Sequence, residues 1–375
     1  MKTRSILTIL SLAASIVVMA ACASATPTQA PAATQAPAAT QAPAATQAAA
    51  ATTEAPAAAT TEAPAAGGKV FKVAVVAPSA KNDLAFSESM YDALMTVQKN
   101  MGADKFQFAF TENMFNVDDA NTAIRDYATQ GYDLVIAHGS QYGAGLQEIA
   151  PDFPKVAFAW GTTVDTFKDK GINNVFAYEA RSEQGGYVFG LMAAMLSKSH
   201  TVGEIGPIET GDAKLYIDGF KEGAMAAKTP AKVLTTYTGD FSKADLMANA
   251  ATTQIASGAD VLTGSSQAVT GAIGVAKEKN VLWFGSQSEQ TSLAPNIVVA
   301  TQVYDWTFAL TDMITSIQGG TLGGKTYSAT LSNGGMKIVY NPAYTLPDDV
   351  KAAADAAVKG VEDGSIKIQA ANSPS

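Results

Sequence analysis

The chain has 375 residues, 47% of them apolar, and 34 acidic against 25 basic residues give a net charge of −9. That balance argues against a nucleic-acid partner, which would need a basic face. With two histidines and one cysteine there is no metal-ligand spacing and no intramolecular disulfide, and no Walker-type loop or GxSxG elbow appears either.

In chain order, Lys2 and Arg4 precede an apolar run from Ile6 to Met19, too short for a permanent span and matched to a signal h-region. The run ends in Met19-Ala20-Ala21-Cys22. Small residues ahead of a single Cys suit a lipoprotein signal peptidase, so Cys22 is expected to carry a lipid. The alternative is a plain secretory signal with an incidental cysteine. From Ala23 to Gly68, APAATQ-like and TTEAPAA-like units follow with no large apolar residue. Such a segment cannot offset its ordering entropy by burial, so a disordered tether, stiffened by proline, is expected. The first 68 positions hold four charged residues, Lys2, Arg4, Glu54 and Glu62, so the body from Lys69 keeps the net −9. Acidity of that kind reads as soluble and exported.

The body alternates short β-rich runs with amphipathic helices, and its length suggests two lobes. Strands are expected at Phe71–Ala77, Phe106–Phe110, Asp133–His138, Lys155–Trp160 and Asn174–Tyr178. Helical stripes carry Met90, Ala93, Leu94, Val97 and Met101, then Ala120, Ala123, Ile124, Tyr127 and Ala128. After a helix at Glu183–Ser197 the pattern restarts with Thr201–Gly206. Tyr216, Phe220 and Ala224 mark the next helix, and further strands are expected at Val233–Tyr237, Ala259–Thr263, Val281–Phe284 and Ile297–Ala300. Ser242 to Asp245 reads as a capping box. Trp306, Ala309, Leu310, Met313, Ile314 and Ile317 form a helical face ending at Gly319, and a last helix starts at Pro347. The expected fold is α/β, with two doubly wound lobes, a ligand cleft beyond the carboxyl ends of their strands, and closure by hinge motion.

Candidate site residues follow from that placement. Lys81-Asn82-Asp83-Leu84-Ala85-Phe86-Ser87 lies between the first strand and the first helix. Asp83 serves there either as an acceptor for amine or hydroxyl donors or as the helix cap. Phe86 offers either a flat face at the cleft or a core side chain. Asp240-Phe241-Ser242 occupies the corresponding place in the second half, so Phe86 and Phe241 could clamp a planar ring. The run His138-Gly139-Ser140-Gln141-Tyr142-Gly143 reads as a strand-end loop rather than a catalytic pair. Trp160 ends the fourth strand. Ser266 lies in the Gly264–Gly274 run, which is expected to turn backbone amides toward the cleft. Asp83, Phe86, Ser87, His138, Trp160, Phe241 and Ser266 are therefore candidate ligand-binding residues. No catalytic residue, metal or cofactor is expected.

Asp83-Leu84-Ala85-Phe86-Ser87 resembles the D-x-[SG]-[FW]-N segment of the basic membrane protein family of substrate-binding lipoproteins, also called PnrA-like. Tyr187 to Ala194 is similar to its Y-L-x-G-x-x-A-A helix. Gly203-Glu204-Ile205-Gly206, Asp218 to Ala224 and Gly258-Ala259-Asp260-Val261 resemble its G-x-I-G, x-G-F-x-x-G-A and G-A-D-V segments. The resemblance implies a type 1 periplasmic-binding fold and a purine nucleoside or base stacked between Phe86 and Phe241, with Asp83 bonding polar edges. It implies an extracytoplasmic, lipid-anchored, non-enzymatic receptor, expected to be a monomer, that hands its solute to ABC permease subunits. A ligand-sensing receptor for a membrane signalling protein, or import of another small planar solute, is the alternative. The family's acidic G-V-D-x-D-Q segment is replaced by Gly285-Ser286-Gln287-Ser288-Glu289-Gln290, and its ribose-binding lysine by Tyr304. Both departures fall on positions that the resemblance assigns to the sugar side, which adds Ser286 and Tyr304 to the candidate ligand-binding residues, so a free base is expected to bind at least as tightly as its nucleoside. The expected division is a signal over 1–22, a tether over 23–68 and a body over 69–375. Lobe one takes about 69–180 plus about 302–332, and lobe two about 181–301 plus about 333–368.

Overall fold

The computed structural model describes residues 69–372; the signal, Cys22 and the tether lie outside the described residues. The first half runs β1 (Phe71–Val76), α1 (Phe86–Met101), β2 (Phe106–Thr111), α2 (Val117–Thr129), β3 (Leu134–Ala137), α3 (Gly143–Ile149), β4 (Ala157–Gly161) and β5 (Val175–Ala180). The second runs α4 (Glu183–Leu196), β6 (Thr201–Gly206), α5 (Gly211–Ala226), β7 (Lys232–Tyr237), α6 (Ala244–Ala256), β8 (Val261–Gly264), α7 (Val269–Lys279), β9 (Leu282–Gln287) and β10 (Val298–Tyr304). Then come α8 (Thr307–Gln318), β11 (Thr326–Ala329), β12 (Met336–Tyr340) and α9 (Asp348–Glu362).

Two six-stranded sheets result, ordered β11-β5-β4-β3-β1-β2 and β12-β10-β9-β8-β6-β7. The orders correspond strand for strand. Every pairing is parallel except β12 on β10. Both faces of each sheet are covered, which explains the near-continuous apolar strands. In β1, Val73 and Val75 pack with α1 and α8, while Val76 joins the opposite layer with Ala120, Ile124 and Leu146. In the second sheet Val202 and Phe284 face α4, α5 and α9, and Ile205, Leu262 and Trp283 face α6 and α7.

The α4–α5 contact shows what the glycines of the family-like segments do. A Cβ at Gly190 would overlap the carbonyl of Phe220, and one at Gly223 would overlap that of Tyr187. The two helices approach backbone to backbone, so any larger residue forces them apart.

Several boundaries differ from the sequence expectation. Two strands were not expected, β11 in the first sheet and β12 in the second, because their patterns are too brief to be read locally. The Ser242–Asp245 capping box does not form. Ser242 instead donates both its amide and its hydroxyl to Asp240 Oδ1, at 2.7 and 2.8 Å, and α6 begins two residues later. The glycines of the Gly264–Gly274 run serve packing: Gly264 lies against the Ile205 carbonyl, and Gly271 is inside α7 against the Ala244 backbone. Among the described residues no helix is long and apolar enough to cross a membrane.

Candidate functional site

A cavity of about 450 Å³, partly open to solvent, lies where the strand ends of the two sheets meet. Its walls come from the loops after β1 (Pro78), β2 (Phe115), β3 (Gly139 to Gln141) and β4 (Thr162). On the other side they come from the loop and helix start after β6 (Thr210 to Ala213), the loops after β7 (Phe241) and β8 (Gln267), and the end of β9 (Gln287). Phe86, at the start of α1, completes them. Each sheet thus contributes its carboxyl edge around the point where its strand order reverses, the position such sheets give to ligands.

Of the nine candidates, Phe86 and Phe241 line this cavity. Several others hold them in place. His138 stacks on Phe86 with ring centroids 3.9 Å apart and planes 3° from parallel. Its Nε2 is 3.0 Å from the Phe86 carbonyl and its Nδ1 is 2.6 Å from the Tyr178 hydroxyl. Complete burial lowers the His138 pKa to about 4, so the ring is neutral, with Nε2–H donating to the carbonyl and Nδ1 accepting from Tyr178. Both nitrogens are engaged, and His138 is not placed to activate Ser140. Ser266 donates to the Phe241 carbonyl at 2.8 Å and accepts from the Ala268 amide at 3.1 Å, which fixes the loop that presents Phe241.

The remaining candidates lie off the cavity wall. Asp83 accepts the amides of Ala85, Ser87 and Glu88 at 2.9, 3.2 and 3.1 Å and the hydroxyl of Ser79, so its carboxyl caps the start of α1. Burial raises its pKa and those hydrogen bonds lower it, with burial the stronger. Ser87 pairs with Ser79 at 2.7 Å. Trp160 stacks on Phe167 and donates to the Gly139 carbonyl at 3.2 Å. Ser286 donates to the Gly264 carbonyl at 2.8 Å. Tyr304 ends β10 inside the first core, edge-on to Trp306.

Sequence reasoning missed three polar residues of the wall. Asp212 Oδ2, Gln267 Oε1 and Gln287 Oε1 are buried and have no hydrogen-bond partner in the protein. A buried polar atom left unpaired costs about 1–3 kcal/mol, so three on one wall describe the complement of a ligand's polar groups. Their position at strand ends was the available signal; that they lack partners depends on long-range neighbours. Thr162 and Gln287, also on the wall, hold positive φ angles of 63° and 76°, the kind of local strain that gathers at binding sites.

An aromatic and polar cavity between two equivalent, mostly parallel-sheet lobes is the arrangement of a solute-binding protein of the type 1 periplasmic fold. The chain belongs to the family described as ABC transporter substrate-binding protein PnrA-like, whose model matches residues 70–370. It is similar to a purine-binding protein of Brucella abortus, with 27% identity over 263 residues (70% of this chain and 73% of that protein). It is also similar to the transcriptional activator protein Med of Bacillus subtilis, with 25% identity over 268 residues (71% and 81%). Among solved structures, an ABC transporter system solute-binding protein from Conexibacter woesei matches with a TM-score of 0.66 and 24% identity, covering 80% of this chain and 99% of that one.

Proposed function

We propose that this chain is the lipid-anchored, extracytoplasmic receptor of an ABC importer and captures a purine base between Phe86 and Phe241. The observation that carries the reading is that these two aromatics, one from each lobe, share a single cavity. Stacking on aromatic faces recognises a flat heterocycle through its whole surface. The name of the Brucella relative, a purine-binding protein, points the same way.

A base is favoured over a nucleoside because the sugar-side serine hydroxyls are already engaged and Tyr304 lies off the cavity wall. Ser286 bonds the Gly264 carbonyl, Ser288 bonds the Ala85 carbonyl at 2.7 Å, and Tyr304 packs in the core. A ribose would bring hydroxyls whose desolvation these residues do not offset. Calorimetry on ligand-stripped protein tests this: adenine, guanine or hypoxanthine is expected to bind at least as tightly as the matching nucleoside. A nucleoside that binds more than about tenfold tighter, a gap of roughly 1.4 kcal/mol, overturns the preference for the base.

The likeness to Med favours a second use of the same capture step, in which the bound state is passed to a signalling partner. Uptake of labelled base by cells lacking this chain separates the two. Lost uptake supports the importer, and intact uptake with altered transcription supports the sensor.

A further inference from the structure

Asp212 is the second residue of α5, 5% exposed, with Oδ2 unpartnered on the cavity wall. Glu179 at the end of β5 and Glu183 in the first turn of α4 face it, and both are buried. The Arg181 guanidinium stands 2.9 Å from Glu183 and 3.9 Å from Glu179. The phenols of Tyr178 and Tyr304 face the same carboxyl. A buried carboxyl with one oxygen unpartnered is costly to ionise in a low dielectric. Burial raises the Asp212 pKa well above the ordinary carboxylate range, and Glu179 and Glu183 push it the same way.

We propose that Asp212 is the residue that reads the ligand's polar edge, as an uncharged carboxylic acid that donates one hydrogen bond and accepts another. This rests on the reading of the cavity as a purine site. A neutral acid holds a donor and an acceptor side by side. Its complement is an uncharged edge with one of each: a lactam, an aromatic amino group beside a ring nitrogen, or a ring N–H beside a ring nitrogen. An ionised carboxylate would instead select two donors or a cation. Asp212 therefore selects uncharged heterocycles and disfavours protonated amines and guanidinium-like solutes.

The test uses the whole protein, stripped of ligand, with adenine and hypoxanthine as probes in calorimetry. Asp212→Asn keeps one donor and one acceptor in the same shape, so it is expected to retain affinity within about threefold. Asp212→Ala removes both and is expected to lose roughly tenfold or more, the scale of a buried polar group left unpaired. Melting temperature separates loss of binding from loss of fold, and the isosteric Asn variant keeps the comparison open if the Ala variant is unstable. The neutral form binds, so wild-type affinity is expected to fall as pH rises through the raised pKa. The Asn variant is expected to lack that alkaline loss. Equal losses in Asn and Ala, or wild-type affinity that rises with pH, overturn the neutral acid. Tight binding indifferent to position 212 overturns this assignment alone. Absence of binding by any purine overturns the purine reading, and the assignment with it.

Discussion

Phe86 and Phe241 look equivalent in the sequence, each after a strand and before a helix, yet their surroundings differ. Phe86 is 4% exposed, stacked on His138, edge-on to Trp306 and part of the first core, as well as lining the cavity. Phe241 is half-buried, belongs to no core cluster, and is held through its carbonyl by Ser266. Phe86→Ala is therefore expected to destabilise the fold by about 3–5 kcal/mol, the cost of removing a buried ring. Phe241→Ala is expected to weaken base binding by about 1–3 kcal/mol with little change in melting temperature. Parallel calorimetry and thermal unfolding check both. A Phe241→Ala variant that melts far below wild type, or binds as wild type does, removes that ring from the clamp. That Phe86 and Phe241 could share a cleft was legible in the sequence because a strand-end aromatic stands out. The double duty of Phe86 was not, because it depends on His138, which lies 52 residues away in the chain.

At the scale of elements, the segment after β9 joins the lobes. Ser288 donates to the Ala85 carbonyl at 2.7 Å and Gln290 to the Leu84 carbonyl at 3.0 Å, both just ahead of Phe86. Gln290 also accepts from Trp283 Nε1 at 2.9 Å, so replacing it would strand a buried indole N–H as well. Ser288→Ala is the cleaner variant, since it removes one bond across the lobes. A hydrogen bond contributes about 0.5–1.5 kcal/mol net, so the apparent Kd for base is expected to rise roughly threefold to tenfold as lobe separation becomes easier. Calorimetry gives the Kd, and X-ray scattering of the ligand-free variant is expected to show a larger radius of gyration. An unchanged Kd and radius would mean that this bond does not bias closure. In the sequence the same segment stood out as a loss of acidic groups on the sugar side. In the fold its hydroxyl and amide reach the opposite lobe.

For the whole molecule, the signal, Cys22 and the tether rest on composition and spacing, outside the described residues. In the proposed reading, a lipid on Cys22 would keep the body near its permease and raise the effective concentration of bound solute at the membrane. Cys22→Ser is expected to release the protein from the membrane fraction or leave it unprocessed. Fractionation with lipid at wild-type mobility in that variant overturns the anchor.

The alternation of strands and helices and the doubling of the fold were legible in the sequence alone, β11 and β12 excepted. Strands covered on both faces must be apolar along their length, helices must carry a stripe at the 3.6 period, and both signals are local. Phe71–Val76 and Thr201–Gly206 open two such series, and the glycines of α4 and α5 mark a contact only glycine permits. The tertiary structure decided which polar side chains are free to meet a ligand. Asp83, Ser286 and Ser288 carry suitable groups, but an amide or carbonyl of the fold takes each of them. Asp212, Gln267 and Gln287 keep oxygens without partners. Whether a polar atom is satisfied depends on neighbours brought from distant parts of the chain, and no local pattern encodes that.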